Sequence, residues 1–232
     1  MKSGVRALGV AESYPGTRHA DEGVRSTLAG AVLRADRVVD GLAFATCTVG
    51  ALDATDAVAR LWTDLDRPDV RYLLLAGVAP AWYNLLDLRS LHERTDRPVL
   101  AVTFEPSDDP LEEALARAFS GEALDRRLEA FERLPPRSRL SVNGETVFVR
   151  AVGCDASEAR DVVRAFTPEG GRPEPLRVAR LAARAGRELV EDCIERETGA
   201  VSSGGSTTDP NCDGDYDGDD VGSGDGDEDE PV

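Results

Sequence analysis

Lysine is almost missing from this chain: Lys2 stands alone against 26 arginines. Aromatic residues make up 5%, methionine occurs once, and the two histidines, His19 and His92, are not spaced as metal ligands. His92 is read as an exposed residue on the polar side of a helix. No apolar run approaches the roughly 18 residues of a membrane span, and the stretch Met1–Ala11 lacks the apolar core of an export signal. The expectation is therefore a soluble, cytoplasmic protein with no membrane contact. The four cysteines (Cys47, Cys154, Cys193 and Cys212) are far apart, with no C-x-x-C pair, so buried free thiols are expected rather than disulfides or a zinc cage. Cys154 precedes a helix, where a thiolate is favoured, but no histidine partner is suggested and it is read as a buried thiol. G-x-S-x-G elbows, phosphate-binding P-loops and G-x-G-x-x-G turns are absent, which removes the usual signatures of serine hydrolases, P-loop enzymes and dinucleotide-binding enzymes.

What is present is acid. The net charge is −17 over 232 residues, unevenly spread. From Asp209 onward there are 11 acidic residues and no basic ones, leaving 33 acids against 27 bases, a net of −6, in the rest. An Asp-rich, Lys-poor surface keeps a chain soluble where molar salt screens charge to within about 3 Å. A GC-rich genome also exchanges Lys for Arg; salt adaptation is the preferred reading. The apolar share of 41% suffices for one packed core.

The pattern predicts a short strand at 5–10, a polar loop at 12–23, then two β-prone runs, 24–33 and 38–49, joined as a hairpin around Ala35-Asp36. A helix follows, with Asp53 as its N-cap and Val58, Leu61 and Trp62 at helical spacing. Residues 72–75 and 98–102 are short apolar runs, as expected of buried central strands. Between them, 84–94 reads as a helix with Leu85, Leu88 and Leu91 on one face. Residues 110–134 read as helical with a break near Ser120-Gly121. Asn143-Gly144 within 140–149 signals a hairpin. Helices are predicted at 155–166 and about 175–195. Antiparallel strands first, then strands alternating with helices, give an α/β fold with a mixed sheet and helices on both faces. The order is that of a ribonuclease H-like fold, preferred over a generic doubly wound sheet because of the clear hairpin.

The domain is expected to span 1–197 and to be followed by a disordered acidic tail, 198–232, too poor in apolar residues to offset the entropy of ordering. Within that tail, Asp209, Asn211, Asp213, Asp215, Asp217 and Asp220 approach the spacing of a calcium loop. The twelfth position is Asp rather than the longer Glu and no helices flank the run, so diffuse cation binding is preferred to a specific site.

Hydrolysis of a phosphodiester with Mg or Mn needs carboxylates converging from strand ends. In a ribonuclease H-like sheet they would sit on the first and fourth strands. The first offers Glu12; the fourth ends Leu75-Ala76-Gly77 and offers none. Asp53, near the end of the third strand, and Asp87, one turn into the following helix, are further candidates. Each also has a structural reading, Asp53 as an N-cap and Asp87 on a solvated face.

Four segments stand out together: Ala51-Leu-Asp-Ala-Thr55, Leu73-Leu-Leu-Ala-Gly77 leading to Trp82-Tyr-Asn-Leu-Leu-Asp87, Arg97-Pro-Val-Leu-Ala-Val102, and Arg172-Pro-Glu-Pro-Leu-Arg-Val-Ala-Arg-Leu181. With them the chain resembles an archaeal family, domain-of-unknown-function family 99, regarded as a distant relative of endonuclease V. The resemblance runs from about Val5 to Ala185 and implies a ribonuclease H-like fold. Its departures fall on expected metal positions. The family's Gly-Ile-Asp-Asp on strand 1 is here matched by Ala11-Glu12, and an Asp-Gly before the Asp-Ala-Thr motif by Gly50-Ala51. Its histidine in the last helix is matched by Arg180. Endonuclease V carries Asp-Gly where this chain has Ala76-Gly77, and a lysine near Phe104. The reading is a catalytically degenerate domain that binds single-stranded or damaged nucleic acid, or a protein partner, through a groove around Glu12, Asn84, Arg177 and Arg180. The alternatives are a divergent Mg- or Mn-dependent nuclease using Glu12, Asp53 and Asp87, and a purely structural or interaction protein. Glu12 alone would hold a metal weakly.

Overall fold

A computed structural model describes residues 1–14, 23–104 and 111–202. The chain divides into two units, Met1–Ile194 and Glu195–Val232; of the second, only the end of a helix is described. The tail expected to be disordered from 198 is corrected at its start, since residues 198–202 continue the last helix; its remainder, 203–232, with the calcium-like run, lies outside the described residues, as do His19 and Cys212.

Seven strands form one mixed sheet. They are β1 (Arg6–Ser13), β2 (Arg25–Arg34), β3 (Val39–Thr48), β4 (Val70–Leu75), β5 (Val99–Thr103), β6 (Ser138–Val142) and β7 (Glu145–Val152), in the order β3-β2-β1-β4-β5-β7-β6. β1 runs parallel to β4, and β4 to β5; the other pairings are antiparallel. Two hairpins supply the antiparallel edges. In the second, Asn143 and Gly144 both take positive φ, 51° and 85°, the geometry that a two-residue turn matched to strand twist requires.

Helices cover both faces: α1 (Ala54–Leu65) and α3 (Leu88–Thr95) on one, α6 (Ala156–Ala165) and α7 (Glu174–Ser202) on the other. Strand alternation decides which side chain meets which layer. From β1, Leu8 and Val10 join Leu28, Leu61, Leu75 and Leu91 in one core. Ala7 joins Leu74, Leu100, Val162 and Leu176 in the other. Gly9 lies under the start of α7, where a Cβ would come within 2.3 Å of the Pro175 carbonyl carbon. Glycine is needed there for close approach, because it brings α7 onto β1 beside the strand's end.

Two further helices, α4 (Leu111–Ala118) and α5 (Glu122–Glu132), break where Ser120-Gly121 predicts. The predicted helix at 84–94 is corrected. The chain instead makes one turn, α2 (Pro80–Tyr83), in which Ala81, Trp82 and Tyr83 have φ of 46°, 55° and 62°. Left-handed backbone costs an L-residue with a side chain about 1–3 kcal/mol. The regular helix begins only at Leu88, because the Asp87 carboxylate accepts hydrogen bonds from the amides of Arg89 and Ser90, each at 3.0 Å. Asp87 is thus an N-cap and not a residue one turn inside a helix. The spacing of Leu85, Leu88 and Leu91 imitates a helical face because all three are buried, whatever their backbone. Among the described residues, no helix is long and apolar enough to cross a membrane.

Candidate functional site

The parallel strands β1, β4 and β5 all end on one side of the sheet, leaving a crevice beyond their last residues. Val10 pairs with Leu75, and the Ala76 amide donates to the Val10 carbonyl at 3.0 Å. Glu12 therefore projects just past the end of β4. It lines a cleft of about 390 Å³ together with Ala76, Gly77 and Pro80 on one side and Phe131, Phe148, Arg137 and Arg150 on the other. A second hollow, about 440 Å³, shares Glu12 and is walled by Arg172 and by Arg177, Arg180, Arg184 and Arg187 of α7. Glu12, Arg177 and Arg180, expected around one groove, line this hollow together.

Glu12 is held from behind. The hydroxyl of Ser26, fully buried on β2, donates to Glu12 Oε2 at 2.9 Å. Next to Ser26, the Cys47 thiol is pushed up to about 12 by burial and by the charges of Asp53 and Glu12. The α7 arginines are partly neutralised along their own helix. Arg177 binds Glu174 at 2.5 and 2.8 Å, and Arg187 binds Glu191 at 2.7 Å and the Ser13 hydroxyl at 3.0 Å. Arg177 in turn holds the Glu174 carboxyl below its ordinary range. Arg180 makes no ion pair or hydrogen bond among the described residues. Across the cleft, burial lowers the pKa of Arg137, and burial together with Arg137 lowers that of Arg150. One carboxylate thus faces a wall of guanidinium groups.

The other candidates are engaged elsewhere. Asp53 stands at the N-cap position of α1 but its side chain does not cap the helix. It turns back to accept from the Thr48 amide at 3.0 and 3.1 Å, the Thr48 hydroxyl at 2.9 Å and Asn84 Nδ2 at 2.7 Å. Burial raises the Asp53 pKa, but the bonds from Asn84 and Thr48 outweigh it and hold the carboxyl below its ordinary value. Asn84 does the capping: its Oδ1 accepts from the Ala54 amide at 2.9 Å, while Nδ2 also donates to the Thr48 carbonyl at 2.8 Å. Asn84 is fully buried, so its expected place in the groove is corrected: it locks α1 to β3 from inside. His92 is half-buried, its Nδ1 2.7 Å from the Arg97 carbonyl oxygen, and is not simply exposed. Of the three described thiols, Cys47 is buried, Cys154 half-buried and Cys193 exposed, against the expectation that all are buried. Burial, aided by Glu158 and Asp155, pushes Cys154 up to about 11.

A family model described as Endonuclease dU matches residues 3–186. The chain belongs to the endonuclease dU family. A relative from Pyrobaculum calidifontis, named "UPF0215 protein", is 36% identical over 166 residues, covering 71% of this chain and 90% of the relative. Among solved structures, a protein of unknown function from Archaeoglobus fulgidus superposes with a TM-score of 0.67 at 25% identity, covering 78% of this chain and 97% of its own. Ciona intestinalis endonuclease V, in complex with a 24mer DNA containing an inosine followed by a ribo-adenosine, superposes with a TM-score of 0.51 at 14% identity, covering 80% and 87%. The fold is that of endonuclease V, of which this endonuclease dU family member is a distant relative.

The positions where the resemblance implies carboxylates are packed with methyl groups. Ala11, 4% exposed, sits in a small cluster with Ala31, Leu33 and Ala179, and Ala76 packs against the same cluster. Among the described residues, no group of three or more His, Cys, Asp or Glu is placed to hold a metal ion. Mg and Mn take oxygen ligands, commonly one or two carboxylates with substrate phosphates. Glu12, already bonded to Ser26, does not by itself make such a set. The arginine wall had a legible signal: Arg177, Arg180, Arg184 and Arg187 recur at intervals of three and four and share one helical face. Ser26, Arg137, Arg150, Phe131 and Phe148 had none, since only the sheet order gathers them.

Proposed function

We propose that this endonuclease dU family member is a catalytically degenerate, cytoplasmic domain that binds nucleic acid in the cleft around Glu12. The observation that carries the reading is a single carboxylate facing arginines from two walls, with alanines at the positions where the family pattern places acids. Guanidinium groups grip phosphates in a planar, bidentate way. The endonuclease V of Ciona intestinalis has been seen with DNA on the same fold, and the name of the family model points to deoxyuridine. Deaminated single-stranded or duplex nucleic acid is therefore the first ligand to test.

The test pairs binding with turnover. The full chain is titrated with uracil-, inosine- and unmodified DNA and RNA, with and without Mg or Mn, and cleavage is followed in parallel. The expected result is binding that Arg180→Ala weakens, with negligible cleavage. Metal-dependent cleavage that Glu12→Gln abolishes would instead establish the divergent nuclease. Absence of binding to every polymer would leave the protein-partner reading.

A further inference from the structure

The sheet has two edges, and they are finished differently. β6 is five residues long and carries an exposed cation, Arg139. Short edge strands with a charge discourage pairing with another chain. β3, at the other edge, has ten residues, with no lysine and no proline among them. Its one charge, Asp40, is turned to Arg6 and Arg67. From Gly41 to Thr48 the strand is uncharged, in a chain of which 31% is charged. Arg25 of β2 reaches over its far end and bonds to the hydroxyls of Thr46 and Thr48. Among the described residues, no strand pairs with the outer side of β3.

The surface beside that edge is apolar as well. Leu42 and Phe44, two residues apart, point to the same side of the sheet. That side is the one on which α7 lies. Leu42 pairs with Ala31, which packs on Ala179 of α7, and a Cβ on Gly186 of the same helix would meet the Phe44 ring at 2.9 Å. Yet α7 does not cover them: Leu42 is 49% and Phe44 53% exposed. Leu189 and Val190 stand three and four residues past Gly186, on its side of the helix, and are 65% and 53% exposed. Scattered singly, such side chains need no explanation. Gathered round the contact of one helix with one open strand edge, they mark a surface that another molecule covers.

We propose that this surface pairs two copies of the chain, β3 of one running antiparallel to β3 of the other about a two-fold axis. The chain itself has nothing left to cover it with: residues 15–22, 105–110 and 203–232 carry few apolar side chains. A nearly uncharged patch on a molecule of net −17 offers little to a basic protein or to phosphates and suits a neutral, apolar counterpart. Its own copy is one. In a two-fold pairing the same patch serves both sides, and residues opposite each other lie on one face of the sheet. With Ala43 at the axis, Leu42 of each copy stands opposite Phe44 of the other, a cross-strand pair of the kind that stabilises sheets. Ten strand residues a side, joined by the outer residues of α7, approach the roughly 20–30 of a standard interface. Molar salt removes the main obstacle, because repulsion between two acidic chains is then screened to within about 3 Å. The inference is independent of nucleic-acid binding: the cleft lies at the ends of β1 and β4, strands inside the sheet.

The experiment weighs the full chain by sedimentation in molar KCl over a series of concentrations. The expected mass is that of two chains, against 24.8 kDa for one. Phe44→Lys, which sets like charges on a diagonal across the axis, should raise the dissociation constant about tenfold or more. Leu189→Lys should do the same from the helix, where the strand is undisturbed, and both variants should keep the circular dichroism of the wild type. Leu52→Lys, at an exposed apolar side chain beside α5, should leave the mass unchanged. In a chain with Cys193→Ser and Cys212→Ser, Leu42→Cys should be joined to its counterpart by a short bismaleimide, since the two sit on one diagonal of the pairing, roughly 7–8 Å apart. A chain that stays single at every concentration would overturn the proposal. So would a dimer that both lysine variants leave intact.

Discussion

At the scale of single residues, Asn84 shows how a polar side chain can be misread. In sequence it is an amide near a candidate groove, and nothing local reveals that its side chain will make three hydrogen bonds inside the fold. In the structure it joins β3, α1 and the end of α2 by accepting from Ala54 and donating to Thr48 and Asp53. Asn84→Ala should destabilise the chain by about 1–3 kcal/mol for each buried group left without a partner, read by urea denaturation at neutral pH. The loss should also depend on pH. Asp53 titrates below its ordinary value because of these bonds, so the stability it contributes is present above the unfolded carboxylate pKa of about 3.9 and is lost as pH falls through the folded value. The gap between wild type and variant should therefore narrow in strong acid, and the variant's acid unfolding should begin at higher pH. A gap constant from pH 7 to 3 would contradict that account. Thiol reactivity offers a second check at this scale. With Cys212 replaced by Ser, one thiol, Cys193, should react with a disulfide reagent near pH 8, while Cys47 and Cys154, raised to about 12 and about 11 by burial, should stay slow until the chain unfolds.

At the scale of elements, the sequence was most legible where one segment had one plausible partner. The β2–β3 hairpin, the Asn143-Gly144 turn and the break at Ser120-Gly121 all carry local chemistry that the structure uses. The stretch 80–87 was illegible because left-handed backbone at Ala81, Trp82 and Tyr83 has no residue signature; glycine or asparagine would have announced it. The alanine cluster under α7 was half legible. Ala11 and Ala76 could be named as replacements, but only packing shows them facing the same small core. Ala11→Asp or Ala76→Asp alone should lower the melting temperature, since a buried unpaired carboxylate is costly. The double variant should bind Mn more tightly than either single one, by isothermal titration, and Mn should recover part of its lost melting temperature. Additive, weak affinities would show that the two side chains cannot share an ion.

At the scale of the whole molecule, the sheet order β3-β2-β1-β4-β5-β7-β6 follows from few choices: one hairpin, parallel strands joined by helices, and a second hairpin at the far edge. That is why the architecture could be read from one sequence while the cleft could not. The cleft draws on β1, β4, α2, α5, β7 and α7, and only the assembled sheet brings them to one pole. Charge belongs to this scale as well. A chain of net −17 should be loosened by self-repulsion when salt is removed. Transfer from molar KCl to about 0.1 M, where the Debye length is about 10 Å, should lower the melting temperature, and returning the salt should restore it. Identical melting curves in both would count against salt adaptation.

The left-handed turn at Ala81, Trp82 and Tyr83 bears on how the molecule comes apart. Three such residues in a row hold back roughly 3–9 kcal/mol in a fold whose net stability is of order 5–15 kcal/mol. Release of that segment is thus favoured long before the sheet melts. The amides that close the turn, Gly50 to the Ala81 carbonyl and Asn84 to that of Pro80, both at 2.9 Å or less, should exchange with deuterium through a low-energy local opening, whereas Leu73 and Leu74 in β4 should exchange only with global unfolding. Exchange of Gly50 and Asn84 as slow as that of β4 would mean the turn is clamped by its surroundings for the life of the native state.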